Sequence, residues 1–219
     1  MSAPVAFAAS AGSLAEQAYI VLEQKLVSLQ LAPGALVSEG RLIAMTGLGR
    51  TPVREAMQRL AQQDLIQVLP RKGLLVTPVS HSALMHILET RKPLERVIVH
   101  RAALNAKDEQ RGSLAAAARD LATAHDNFEA FLALESTINQ LLDQCAGNPF
   151  ASAAVASLRS HCRRFWYLHR QRLQLSDAIS AQSKLARLVA RRDFNGAQKA
   201  VDGVIAVFER LAAGAERFG

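Results

Sequence analysis

Absences narrow this sequence first. Cysteine occurs only twice, at Cys145 and Cys162, on segments of helical periodicity and without CxxC spacing. That scarcity argues against a disulfide framework or a Cys-based metal site. It fits a reducing compartment where buried thiols act as small apolar side chains. No run approaches ~18 consecutive apolar residues, so no membrane-spanning helix is predicted. No Lys or Arg precedes Lys25, so the Ala-rich start MSAPVAFAASAGS lacks the charged region of a signal peptide. Residues 1–12 therefore read as a disordered, frayed tail, and the cytoplasm is the expected location. A phosphate loop, a nucleophile–base spacing and a credible metal set are all missing. An enzyme would rest on Glu135 as acid–base with His169 nearby and on nothing else. Neither catalysis nor a cofactor is expected.

What is present is apolar mass and positive charge. Half of the 219 residues are hydrophobic, enough for a packed core, and 26 Lys plus Arg against 19 Asp plus Glu leave a net charge of +7. A surplus of that size suits a polyanionic partner, with nucleic acid ahead of a membrane surface.

Short segments punctuated by Gly and Pro fill the first 80 residues. Ser13-Leu14-Ala15-Glu16 is a capping box opening a helix to about Gln30, and Ser38 caps a second over roughly Glu39 to Met45. Thr46-Gly47 then turns the chain into GRTPVREAMQRL, Gly49 to Leu60. Here Thr51 is a good N-cap, Pro52 suits the first helical position, and Val53, Met57 and Leu60 form an inward stripe. Arg50, Arg54 and Gln58 recur at steps of four on another face. Two cations at the positive end of a helix dipole cost roughly 0.3–1 kcal/mol each. Leu65–Leu69 and Leu74–Thr77 are β-prone runs around the basic turn Pro70-Arg71-Lys72-Gly73, which reads as a hairpin.

Three helices and a hairpin are the order of a winged helix-turn-helix. The misplaced charge then has a reason. A recognition helix meets phosphates and base edges with its N-terminal end, where arginine is favourable. Thr51, Gln58 and Arg71 join the candidate DNA-facing set.

Beyond Ser80 long helices dominate, over about His81–Asn105 (with Pro93 as a possible kink), Glu109–His125, Asn127–Gln144, Pro149–Leu173, Asp177–Arg191 and Asn195–Ala213. The fold class is therefore mainly α, a winged domain over 13–79 and a helical bundle over 80–219. Several polar residues interrupt apolar stripes in the bundle: Arg91, Glu135, Asn139, Gln182 and His169. Inward polar groups on different helices suggest a shared polar cavity. The alternative is that Arg91 pairs with Glu95 or Glu135 and the others satisfy one another. Arg163-Arg164 and Arg191-Arg192 are expected on solvated faces.

SEGRLIAMTGLGRTPVREAMQRLAQQDLIQVLPRKGLLVTPV, Ser38 to Val79, resembles the DNA-binding domain of GntR-type transcriptional regulators. ETRKPLE (Glu89–Glu95), AGNP (Ala146–Pro149) and RRDFNGAQKA (Arg191–Ala200) resemble the helical FCD effector domain of the FadR subfamily. The resemblance implies that Arg50 and Arg54 contact DNA, with Gly49 at a neighbouring contact position and Lys72 and Gly73 at the tip of the wing. Gly40, with Arg41 beside it, stands where many members have a basic contact. Many FCD domains hold a divalent metal with one Asp and three His. Here the corresponding positions carry Glu135, Asn139, Gln182 and Val204, and no metal is expected from such a set. His125, His161 and His169 do not restore the spacing. Arg91 falls where members bind an effector carboxylate. Asn139 and Gln182 would add hydrogen bonds, and Phe165, Trp166 or Tyr167 an apolar wall. The expected protein is a homodimeric repressor that binds double-stranded operator DNA and is released by a small organic acid. A constitutive DNA-binding dimer is the alternative.

Overall fold

The structure, a computed structural model, describes residues 12–70, 72–125 and 127–216. All but Gly12 of the expected tail, and the wing residue Arg71, lie outside them. Contacts divide the chain into Met1–Pro78 and Val79–Gly219.

The first unit runs α1 (Leu14–Val27), β1 (Leu36–Val37), α2 (Glu39–Thr46), α3 (Arg50–Gln62), β2 (Ile66–Leu69) and β3 (Gly73–Val76). Ser13 caps α1 by accepting from the Glu16 amide. The Glu16 carboxylate does not turn back to close a capping box; it pairs with Arg59 of α3, whose guanidinium also lies 3.7 Å over the Tyr19 ring. Arg59 thereby fastens α1 to α3. Ser38 caps α2 as expected, and Gly47 ends it at φ 68°, a left-handed conformation that glycine adopts without Cβ strain.

The β1 strand is an addition to the expected hairpin. It pairs antiparallel with β3, Leu36 opposite Leu75, and the sheet order is β1-β3-β2. Gly73 opens β3 at φ 97°, and a Cβ there would lie 2.7 Å from the backbone oxygen of Val37. The approach of the Val37–Ser38 backbone and the positive φ both demand glycine. Under the sheet, Leu22, Leu26, Val53, Leu60, Leu74 and Val76 form the core.

One local expectation is corrected. Helix α3 begins at Arg50 with Gly49 as N-cap, not at Pro52 with Thr51 as N-cap, and no side chain caps it. Pro52 is still tolerated, because an amide in the first turn has no intrahelical acceptor to lose.

The second unit comprises α4 (His81–Asn105), α5 (Asp108–Ala122), α6 (Phe128–Ala146), α7 (Pro149–Leu168), α8 (Leu175–Ala190) and α9 (Phe194–Glu216). Helix α4 continues through Pro93, which is exposed. Helix α7 stops at Leu168, five residues earlier than its apolar pattern suggests, and His169 closes it. Asn148 caps the start of α7, and Gly147, left-handed at φ 59°, closes α6. Arg101 and Asn105 of α4 both donate to the Ala146 carbonyl, satisfying an end that the helix itself leaves open. Ile98, Phe131, Ile138, Val155, Trp166 and Phe208 lie at the centre of the bundle core.

Candidate nucleic-acid interface and buried charge network

The apolar stripe of α3 decides which way its arginines point. Val53, Ala56, Met57 and Leu60 are buried, so the opposite face, with Arg50, Thr51, Arg54 and Gln58, is exposed. No acidic residue lies in the first turn. Glu39, the first residue of α2, compensates from outside the helix. Its carboxylate accepts from Arg54 Nε at 3.0 and 3.1 Å and stands 3.3 Å from Arg50 Nε. Nothing in the pattern of α3 alone points to Glu39, because the pairing spans 15 residues. The hairpin turn carries Lys72, exposed, with its amide bonded to the Leu69 carbonyl. Gly49 and Gly73 are placed by backbone needs, the first as N-cap and the second as described above.

In the bundle, the inward polar residues fall into two groups. Glu135, Asn139 and Gln182 form a chain: Asn139 Nδ2 donates to Glu135 Oε1, and Gln182 Nε2 donates to Asn139 Oδ1 at 3.3 Å. Glu135 Oε2 and Gln182 Oε1 at the ends of that chain are buried acceptors with no hydrogen bond among the described residues. Arg163 Nε stands 4.0 Å from Glu135 Oε2.

The second group is a ladder of charge. Arg91 donates from Nε to Glu95 at 2.9 Å, as the alternative reading has it. Arg159 donates to both oxygens of Glu95 at 2.9 and 2.8 Å and to Asp143 at 2.7 Å. Burial pushes the Glu95 carboxyl upward, but the guanidiniums of Arg159 and Arg91 outweigh it and hold it at about 2. The pairing raises the already high pKa of Arg159 against its burial, whereas burial leaves the Asp143 carboxyl above its ordinary range. Arg159 has no place in the sequence reading, although it sits four residues after Val155 on the same inward stripe. Arg164 is also corrected. It is fully buried rather than solvated, while Arg191 and Arg192 are exposed.

Trp166 is a core residue, stacked on Phe208 at 4.2 Å and 8°, and the Arg91 guanidinium lies 5.3 Å from the same Phe208 ring. It is therefore close to Arg91 through one shared neighbour. His169 is not brought to the polar chain. Its ring lies 4.4 Å from Phe165, and burial together with Arg172 lowers its pKa.

Metal chemistry does not fit these residues. At the four positions that correspond to the family's ligands stand one carboxylate, two amides bonded in series with it, and the apolar Val204. Such a set offers a single charged oxygen donor, two neutral amides already hydrogen-bonded to each other and to it, and no imidazole. Among the described residues no group of three or more His, Cys, Asp and Glu is placed to hold a metal ion.

A winged helix-turn-helix with an exposed arginine face, on a chain whose second unit is an all-helical bundle, defines a DNA-binding protein of the regulator class. The comparisons with known proteins agree. Residues 14–76 match "Bacterial regulatory proteins, gntR family", and residues 86–206 match the FCD domain. The chain belongs to the GntR family of transcriptional regulators and carries an FCD domain; it is a DNA-binding regulator, not an enzyme. It is 33% identical over 153 residues to an HTH-type transcriptional regulator of an unstable DNA locus in Streptomyces ambofaciens, covering 67% of this chain and 62% of that one. It is 28% identical over 155 residues to the HTH-type transcriptional repressor RspR of Escherichia coli, covering 70% of this chain and 68% of the relative. Among solved structures, E. coli McbR/YncC superposes with a TM-score of 0.81 at 20% identity, over 95% of this chain and all of that one, which shows a shared fold.

Proposed function

We propose that this chain is a ligand-responsive repressor, working as a homodimer in the cytoplasm. It reads operator DNA with Arg50 and Arg54, assisted by Thr51, Gln58 and the wing residues Lys72 and Gly73. The observation that carries the reading is the paired, outward-facing arginines at the front of an otherwise apolar-backed α3. Two-fold operators match two-fold proteins, and one winged helix spans too few base pairs alone. Relatives named as repressors, RspR and the E. coli protein NanR, support the negative sign of regulation. No helix among the described residues is long and apolar enough to cross a membrane.

The bundle is where a small organic acid would act, with Arg91 as the anion anchor and Glu135, Asn139 and Gln182 beside it. The two unbonded acceptors, Glu135 Oε2 and Gln182 Oε1, favour an acid that also carries hydrogen-bond donors. Binding there would favour an arrangement of the dimer unsuited to the operator. Thermal stability and Trp166 fluorescence with a panel of hydroxy, amino and simple carboxylates test this. A shift confined to donor-bearing acids supports the reading, and no shift with any acid removes the effector.

A constitutive DNA-binding dimer is the second reading. Arg91 and Arg159 already share Glu95, so the arginine pair has an internal carboxylate and needs none from outside.

A further inference from the structure

We propose that Glu39 is a positioning residue for base reading, one that sets the specificity of DNA binding rather than its strength. The proposal rests on reading α3 as the helix that meets DNA.

A single carboxylate engages both arginines at Nε, with Arg54 at 3.0 and 3.1 Å and Arg50 at 3.3 Å. Nε is the guanidinium nitrogen nearest the stem. Holding it fixes the long side chain while both terminal amino groups stay available, and two N–H groups side by side are what a guanine edge accepts. Exposure agrees with this division: the arginine side chains are 72% and 58% accessible and the Glu39 side chain 28%. The carboxylate lies under the cations that it orients.

Stability does not explain the arrangement, since exposed ion pairs contribute little. Strength of DNA binding does not explain it either. A carboxylate beside a phosphate backbone is repelled, and it cancels one of the two positive charges that would otherwise attract the polyanion. What Glu39 supplies is order. Arginine loses much rotamer freedom when immobilised, and part of that loss is already taken before the duplex arrives. A pre-set pair gains on the correct base sequence and nothing on the wrong one. Glu39 also sits in the first turn of α2, where a negative charge helps the helix dipole, and the test has to separate that role.

The full-length wild-type chain is used to enrich a sequence from a pool of random duplexes. Binding to the enriched duplex, and to a scrambled duplex of equal length and composition, is then measured for wild type, Glu39→Gln and Glu39→Asp, alongside thermal unfolding. Glu39→Gln lowers the preference for the enriched duplex by about tenfold and raises affinity for the scrambled one. Glu39→Asp keeps the charge but shortens the reach, so it loses preference without gaining scrambled-duplex affinity. Equal changes on both duplexes make Glu39 a bulk charge and overturn the proposal. An unchanged preference with a lowered unfolding temperature makes it a helix-end residue and overturns it as well. Should Glu39→Gln fail to fold, the preference of Glu39→Asp decides alone. If the wild type enriches no sequence, the reading of α3 fails first and the role of Glu39 goes with it.

Discussion

In the first unit Glu39 faces Arg50 and Arg54 at a surface where both arginine side chains are more than half exposed, whereas in the second Glu95 lies between Arg91 and Arg159 with every side chain under a tenth exposed. The chemistry of the two triads is the same, two guanidiniums on one carboxylate. Their energetics are opposite. Water screens the first triad, which is worth at most about 1 kcal/mol and, because Glu39 holds both arginines at Nε, leaves their terminal amino groups for phosphates and bases. Desolvation traps the second. Its net contribution relative to an apolar core is small, yet removing one member strands a buried charge. Exposed arginines are thus available for recognition, while buried ones hold three helices, α4, α6 and α7, in one arrangement.

The contrast is broken most severely at Glu95. Glu95→Ala takes the carboxylate from Arg91 and leaves Arg159 with Asp143 alone, and should destabilise the second unit by about 3–5 kcal/mol, read by chemical or thermal unfolding. Acid probes the same group with its charge intact at the start. The folded Glu95 carboxyl titrates at about 2, below its ordinary value of 4.5, so its stabilisation is complete above about pH 4.5 and is lost as pH falls toward 2. Of order 3 kcal/mol is lost across that window. Glu95→Gln should flatten this acid limb of the stability profile, measured by denaturant titration at fixed pH steps. If the limb keeps its slope, another carboxylate governs it.

Arg54→Ala comes next and acts on a different quantity. Operator affinity should fall by roughly 1–3 kcal/mol, with thermal stability changed by less than about 0.5 kcal/mol. Gly73→Ala should cost about 1–3 kcal/mol of stability in the first unit, since the new methyl group meets the Val37 oxygen at a positive φ. Arg59→Ala is the mildest. Its ion pair with Glu16 is exposed, so the loss should stay near 1 kcal/mol, including the contact with Tyr19.

How far the sequence could be read follows the same division between local and distant. Caps at Ser13 and Ser38 and the stripe Val53-Met57-Leu60 are short-range patterns, and the structure contains all of them. Helix α4 spans His81–Asn105, the bounds its sequence pattern predicts. Strand β1 is only two residues long, too short for any period to show, and exists because β3 offers it an edge. The cap signal of Thr51 points to a later start for α3 than the backbone adopts, because Gly49 takes the N-cap position. At the candidate sites, residue types could be read but partners could not. Arg91 could pair with Glu95 or Glu135 on spacing alone, and Arg159 bridges Glu95 across 64 residues. Arg164 reads in sequence as half of a solvated pair, and only the packing of the bundle shows it inside.

One measurement bears most directly on the account: the affinity of wild type and Arg54→Ala for a duplex that the wild type selects, set against a scrambled duplex across a range of salt. The account predicts a loss of roughly 5–150-fold on the selected duplex and a far smaller one on the scrambled duplex. Equal binding of the two proteins to the selected duplex would contradict it.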